Sequence, residues 1–370
     1  MRQALAVIAV ALATLMAAAW PVTGAPNNAG VGSVPKPSPT DRADRADFNG
    51  DGFDDLAIGA AGEGVGGVEF AGAVNILYGS AGGLVGTDQL LTQANPERFD
   101  LFGLVVAKGD FNGDSFTDLA VSAPWETVGA AELAGAVNVF YGSATGLAGT
   151  SQVLLQANPE NRDLFGQSLD AGLFNDDDVM DLAVGAPGED VSTADDAGAV
   201  NVFYGSAAAL PATSQVLLQA NPERSDHFGS ALAAGFFNDD LWYDLAVGAP
   251  LETVGGKPEA GAVNVFDGSA SRLAGTSQTF LQGPGTGGIP EVGDLFGLVL
   301  AAGPFDTGPW DLAVGAPEED FGVRPNAGAV NVLYGSTAGL PGTGGQLLTQ
   351  DSPGVGGTAE PGDGFGAALD

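Results

Sequence analysis

Apolar residues in this chain come in short runs cut by Gly, Pro, Asn or Asp, and they never settle into a helical period. The stretch beginning at Phe102 shows the unit. Phe102–Ala107 reads as a strand, Asp110–Asp118 as an acidic loop, and Leu119–Ala123 as a second strand apolar enough to be buried on both faces. A loop over Trp125–Ala134, a strand over Ala136–Tyr141, a turn over Gly142–Gly149 and a strand over Gln152–Gln156 complete it.

This unit recurs. Asp55-Leu-Ala-Ile-Gly returns with its aspartate at Asp118, Asp181, Asp244 and Asp311, spaced 63, 63, 63 and 67 residues apart. Gly-Ala-Val-Asn follows from Gly72, Gly135, Gly198, Gly261 and Gly328, and a Phe-Gly pair stands at Phe102, Phe165, Phe228, Phe296 and Phe365. Three motifs in constant order, five times each, define an array. Four strands per unit at this period predict an all-β fold, a β-propeller of four-stranded antiparallel blades. The repeats run over about 47–98, 99–161, 162–224, 225–292 and 293–362, with a closing strand at 363–370. The first copy starts at its acidic loop and the last residues are a Phe-Gly strand with no copy behind. The two ends are therefore expected to complete a fifth blade by N- and C-terminal strand exchange, which hides both sheet edges.

Composition narrows the function classes. Forty-six Asp and Glu against 11 Lys and Arg give a formal net charge of -35, which repels nucleic acid and anionic lipid. With no cysteine, disulfides, thiolate catalysis and Cys-ligated zinc are excluded. A single histidine, His227, sits where other copies carry Leu101, Leu164, Leu295 and Gly364, so it reads as packing. Residues 1–25, with Arg2, the apolar run Ala4–Ala19 and the small residues Thr23, Gly24 and Ala25, read as a cleaved export signal. Residues 26–46 read as a Pro/Ser-rich linker, and 47–370 as the propeller. Membrane insertion after cleavage is not expected.

The acidic loops carry the candidate chemistry. Asp47, Asn49, Asp51, the Phe53 carbonyl and Asp55 stand at positions 1, 3, 5, 7 and 9, an oxygen set that suits a hard cation such as Ca²⁺. Asp110, Asn112, Asp114, the Phe116 carbonyl and Asp118 repeat it in full. The third loop keeps Asn175, Asp177 and Asp181 but has Leu173 first; the fourth keeps Asn238, Asp240 and Asp244 but has Phe236 first. These two are expected to be weak or vacant. The fifth, one residue shorter with Pro304 first, keeps only Asp306 and Asp311. An EF-hand would need a carboxylate at position 12, where the first loop has Ile58.

The Phe-Gly strand, the nine-residue loop and the Gly-Ala-Pro at Gly185, Gly248 and Gly315 resemble the FG-GAP repeats of integrin α-subunit N-terminal propellers. The resemblance spans Asp47 to Asp370. It implies calcium in the nine-residue loops and ligand binding on the opposite face. That integrin domain has seven blades against five counted here, so no particular adhesion partner carries over.

Alternate loops of an up-and-down blade lie on opposite faces. The acidic loops should share one face with the Gly-Ser turns at Gly79, Gly142, Gly205, Gly268 and Gly335. The loops after Gly-Ala-Pro, which differ most between copies, should share the other with the inter-blade connectors, and specificity usually resides in such loops. Glu63, Glu126, Glu189, Glu252 and Glu319 recur there, either as loop anchors or as an acidic ring around the mouth; Trp125 could stack on a sugar. The chain is thus expected to be a secreted or cell-surface calcium-binding adhesion scaffold for an extracellular protein or glycan, not an enzyme. The alternative is a secreted hydrolase using carboxylates in the mouth, against which the acids are near-equivalent rather than paired in unlike environments.

Overall fold

The structure, a computed structural model, describes residues 45–84, 89–283 and 285–369. The predicted export signal and residues 26–44 of the predicted linker lie outside the described residues. Every regular element among the described residues is a strand, nineteen in all, and no helix is long and apolar enough to cross a membrane.

The strands form five antiparallel sheets in chain order. The first holds β1 (Leu56–Ala60), β2 (Ala73–Leu77) and β3 (Gln89–Leu91). The second holds β4 (Val106–Gly109), β5 (Asp118–Ala123), β6 (Ala136–Phe140) and β7 (Gln152–Leu154), and the third β8 (Ser168–Gly172), β9 (Asp181–Ala186), β10 (Ala199–Phe203) and β11 (Gln215–Leu217). The fourth holds β12 (Ala231–Gly235), β13 (Asp244–Ala249), β14 (Ala262–Phe266) and β15 (Gln278–Phe280). The fifth holds β16 (Val299–Gly303), β17 (Asp311–Ala316), β18 (Ala329–Leu333) and β19 (Gln346–Leu348). Within each sheet every strand pairs with its successor, and the register repeats, with Leu119 opposite Phe140, Leu182 opposite Phe203 and Leu245 opposite Phe266. These are the up-and-down blades of a β-propeller.

The apolar second strand is explained by packing on both sides. Leu119 and Val121 of β5 pack against Val74, Ile76 and Phe102 on the first-blade side, while Ala120 of the same strand packs with Leu182 and Val184 of the third blade. The first strands β4, β8, β12 and β16 pack in succession. A sheet sandwiched between two others can afford no polar face, so Asp-Leu-Ala-Val shows no alternation.

Two expectations need correction. The Phe-Gly pair is not part of a blade's first strand: β8 starts three residues after Phe165, and β4 four residues after Phe102. It is a turn seated on the preceding blade, with Phe102 N–H donating to Ala71 O at 3.1 Å. Gly72 (φ +84°) permits this approach, because a Cβ there would stand 2.1 Å from Phe102 O. Strand exchange is also not formed among the described residues. The first sheet has three strands, and Phe365 donates to Ala327 O, so the terminal Phe-Gly serves blade five as Phe102 serves blade one. Phe365 and Leu369 cover Val330 and Val332 instead of pairing with β1. Ile58 is accordingly 42% exposed, whereas Val121, Val184, Val247 and Val314 at the same position are 0% exposed.

Candidate metal centre and ligand face

The first two acidic loops share one hydrogen-bonded skeleton. Asp47 accepts from Asp51 N at 3.1 Å and Gly52 N at 3.0 Å; Asn49 Oδ1 accepts from Asp51 N, and Asp51 from Phe53 N, both at 2.9 Å. Asp110, Asn112 and Asp114 repeat every bond, with Ser115 N in place of Gly52 N at 2.8 Å. The turn needs a left-handed residue at position 6, supplied by Gly52 (φ 93°) and by Ser115 (φ 77°). The three side chains are thereby curled over one short segment, and each carboxylate keeps further lone pairs.

The ninth-position aspartate has a distinct role. Asp55 accepts from Phe48 N (2.7 Å) and Gly79 N (2.8 Å), Asp118 from Phe111 N and Gly142 N, both at 2.8 Å. Asp181, Asp244 and Asp311 do the same in loops that lack the full ligand set. This residue ties the loop to the Gly-Ser turn in every blade. Its burial pushes the Asp118 carboxyl up to about 7, opposed by the two backbone bonds and reinforced by the charges of Asp110 and Asp114. Asp181 is pushed up to about 8, by burial first.

Loops three and four show what replaces the first ligand. Leu173 is buried in the core, and Phe236 stacks near Tyr243 and Trp310, with ring centroids 4.1 and 5.9 Å away. Asn175, Asp177, Asn238 and Asp240 keep their turn bonds. Beside loop one, the Arg45 guanidinium lies 3.7 Å from Asp47 Oδ2 and 3.2 Å from Asp54. Among the described residues no three acidic or imidazole groups converge closely enough to hold an ion by themselves; the set read from sequence also draws on an asparagine oxygen and a main-chain carbonyl.

Successive loops are linked. Thr117 N donates to Asp47 O (3.2 Å), Met180 N to Asp110 O, Tyr243 N to Leu173 O and Trp310 N to Phe236 O, while Ser143 N donates to Phe48 O. Acidic loops and Gly-Ser turns thus share a face. The connectors bond to the variable loops on the other face, as Leu101 N does to Phe70 O and Leu164 N to Leu133 O.

On that second face the recurring glutamates are loop anchors. Gln93, Gln156, Gln219 and Gln282 donate to Glu126, Glu189, Glu252 and Glu319, all four of which burial pushes up to about 7. After burial, the charges of Asp100 and Asp226 help to push Glu126 and Glu252 up. Asp163 caps the turn at Glu160 N, as its counterparts do in other blades. Arg98 pairs with Glu69 at 2.9 Å and Arg224 with Asp195, neither with the anchor series. His227 occupies its leucine slot at φ 54°, beside 56° for Leu101 and Leu164, and burial lowers its pKa. The acids of this series recur at equivalent positions, Asp100 beside Glu126, Asp163 beside Glu189, Asp226 beside Glu252 and Asp294 beside Glu319. Sequence reasoning did not single out the glutamines, although they precede their glutamates by a constant 33 residues in three blades.

Comparison with known proteins matches this geometry. A family model for the FG-GAP repeat matches residues 44–77 and 102–140. Integrin alpha-7 of Homo sapiens is 34% identical over 154 residues, covering 41% of this chain and 12% of that protein. Integrin alpha-5 of Xenopus laevis is 31% identical over 246 residues, 64% of this chain and 21% of that protein. Phosphatidylinositol-glycan-specific phospholipase D of Bos taurus is 37% identical over 150 residues, 38% of this chain and 18% of that protein. The chain therefore spans about a fifth or less of the length of these relatives. The chain thus carries FG-GAP repeats at 44–77 and 102–140, followed by three further units with the same motifs, and over part of its length it is similar to integrin alpha subunits.

Proposed function

We propose that the chain is an extracellular binding scaffold stabilised by calcium, with the cations in the first two acidic loops and a protein or glycan ligand on the variable-loop face. The observation that carries the calcium reading is the bond-for-bond repetition of the first two loops. An oxygen-only set of carboxylates, one amide oxygen and one carbonyl fits Ca²⁺ better than softer metals. Asp47, Asn49, Asp51, Phe53 O and Asp55 would hold one ion, and Asp110, Asn112, Asp114, Phe116 O and Asp118 the other. Asn175, Asp177, Asp181, Asn238, Asp240 and Asp244 form weaker sets without a first ligand. Similarity to integrin alpha subunits supports the extracellular setting, and export would rest on residues 1–25. The hydrolase reading, which the similarity to a phospholipase D keeps in view, is weighed against by acids that recur at equivalent positions from blade to blade.

Thermal melting in calcium and in chelator tests the sites. A ligand in hundredfold excess over its Kd stabilises by about 2.7 kcal/mol per site, and extracellular sites of this kind bind at roughly 10⁻⁴–10⁻³ M. Millimolar calcium should raise Tm, and Asp47→Ala with Asp110→Ala should remove the rise. A calcium shift that survives the double substitution refutes the assignment. Screening on protein and glycan arrays tests the ligand face: binding should be lost when the 125–134 loop is exchanged for the 188–197 loop, and silence on both arrays would leave a purely structural role.

A further inference from the structure

The outer edge of blade two carries a recess of about 250 Å³, lined by Gln93, Glu126, Asn138, Val153 and Leu155 among others. Asn138 is 2% exposed; its Oδ1 accepts from Ser151 Oγ at 2.9 Å, and its Nδ2 has no partner. Val153, opposite Asn138 in register, is 53% exposed, so the recess has an apolar wall open to solvent. Blade three repeats the side-chain arrangement: Asn201 Oδ1 accepts from Ser214 Oγ, its Nδ2 is unpartnered, and exposed Val216 stands opposite. A buried N–H donor without an acceptor is unusual and calls for a ligand or water.

Blade five shows what fits. Its connector is five residues longer, since Gln282 and Phe296 are 14 apart where Gln93 and Phe102 are 9 apart. The segment Gly285–Gly288 lies in the place that is open in blade two. Asn331, the counterpart of Asn138, faces Thr286 O and Gly287 O; with its amide assigned in the orientation that these two acceptors require, its nitrogen donates to them at 2.8 and 3.0 Å. A Cβ at Gly287 would stand 2.9 Å from Leu347 Cβ, the counterpart of Val153, so the fit requires glycine. Gly345 replaces the serine of blades two and three, and its N–H donates to Gly285 O at 2.9 Å. Gln282 Oε1 stays unpartnered even here, so the asparagine amide is the atom that tells a filled recess from an open one.

We propose that the recess of blade two, and the equivalent position beside Asn201 and Val216 in blade three, are grooves for an extended, glycine-bearing segment of a protein partner. The Asn138 and Asn201 amides donate to its main-chain carbonyls, as Asn331 does to the chain's own insert. A β-edge groove read mainly through main-chain bonds is a recurring way to hold extended peptides. The proposal deepens the reading of the variable-loop face, on which it rests, and is independent of calcium.

The test uses the full chain labelled with ¹⁵N at asparagine side chains, titrated to millimolar levels with acetyl-Gly-Pro-Gly-Thr-Gly-Gly-Ile-amide. The control peptide carries valines at its last two glycines. Saturable shifts of the Asn138 and Asn201 amide resonances, with Asn331 unmoved and the control silent, are expected. Val153→Trp, at an exposed position, should abolish the Asn138 response and spare that of Asn201. No saturable shift, a shift reproduced by the valine peptide, or one that survives Val153→Trp would overturn the proposal in favour of recesses holding only water. Array binding that persists under any of these outcomes would leave the broader reading of the face standing and remove only the groove.

Discussion

Adjacent blades are clamped by a tyrosine, and one clamp is incomplete in a way that predicts a gain of stability. Tyr141 Oη donates to Gln152 Oε1 (2.6 Å) and accepts from Leu210 N of the next blade (3.2 Å), while Gln152 Nε2 donates to Leu210 O (2.8 Å). Tyr78 with Leu147 and Tyr204 with Leu273 repeat the clamp. In blade four the tyrosine position is Asp267, and Gln278 Nε2 to Leu340 O at 3.3 Å is what remains of the clamp. Asp267 also adds negative charge near Asp244, whose carboxyl burial already pushes up to about 7. Asp267→Tyr restores the hydroxyl bridge. One hydrogen bond contributes about 1 kcal/mol net, and partial burial of the ring adds roughly as much. A gain of about 1–2 kcal/mol corresponds to about 1.5–3 °C in a domain of this size. Calorimetry on the wild type, Asp267→Tyr and Tyr141→Phe reads it: the second should melt higher, the third lower because Leu210 N–H loses its acceptor. If Asp267→Tyr melts at or below the wild type while Tyr141→Phe is destabilised, the clamp is not transferable and the reasoning fails.

Further expectations follow from the same geometry. The carboxyls of Glu126, Glu189, Glu252 and Glu319 titrate near 7 when folded and nearer 4.5 when unfolded. The folded state therefore holds more protons, and its stability falls as pH rises through about 7 and is highest below about 4.5 as far as these groups are concerned. In chelator, Tm should be higher at pH 5.5 than at pH 8, and Glu189→Gln should flatten the difference. Arg45→Ala removes a cation from beside Asp47 and should tighten calcium at loop one by roughly two- to fivefold at low salt, with less effect at high salt, read by calorimetric titration. Val184→Thr should destabilise by roughly 1–2 kcal/mol because it buries a hydroxyl without a prepared partner. Ile58→Thr, at the equivalent but half-open position, should change stability by less than half that in denaturant melts.

The repeat carried most of the fold: constant motif order predicted five units of short strands and the segregation of loops between two faces, whereas the register of the strands emerges only in the sheets. The nine-residue spacing singled out Asp47 and Asp110 as oxygen donors, but their bonds to the position-6 nitrogens are seen only in the folded loops. The ends were not legible. The acidic loop at Asp47 and the Phe-Gly pair at Phe365 are the two missing parts of one unit, but their sequences carry no information about their separation, and the structure seats Phe365 on blade five. The glutamate series was readable only as a repeated acid, because its meaning lies in a glutamine from the preceding blade. Likewise Asn138 belongs to the most regular motif in the chain, and its unpartnered nitrogen emerges only beside Asn331, where an insert supplies the carbonyls.

The ties between successive acidic loops make the molecule a graded chain of joints. Loop one reaches blade two through Asp47 O and Phe48 O, and loop two reaches blade three through Asp110 O. The same carbonyls further along belong to Leu173 and Phe236, set among apolar side chains. With calcium in the first two loops, ionic strength and chelators act on the early joints, while temperature and denaturant act on all of them. Removing calcium would then soften one end of the array and leave the other intact. Hydrogen exchange would show this as faster exchange confined to blades one to three, a mechanical asymmetry written along a repeat that otherwise looks uniform.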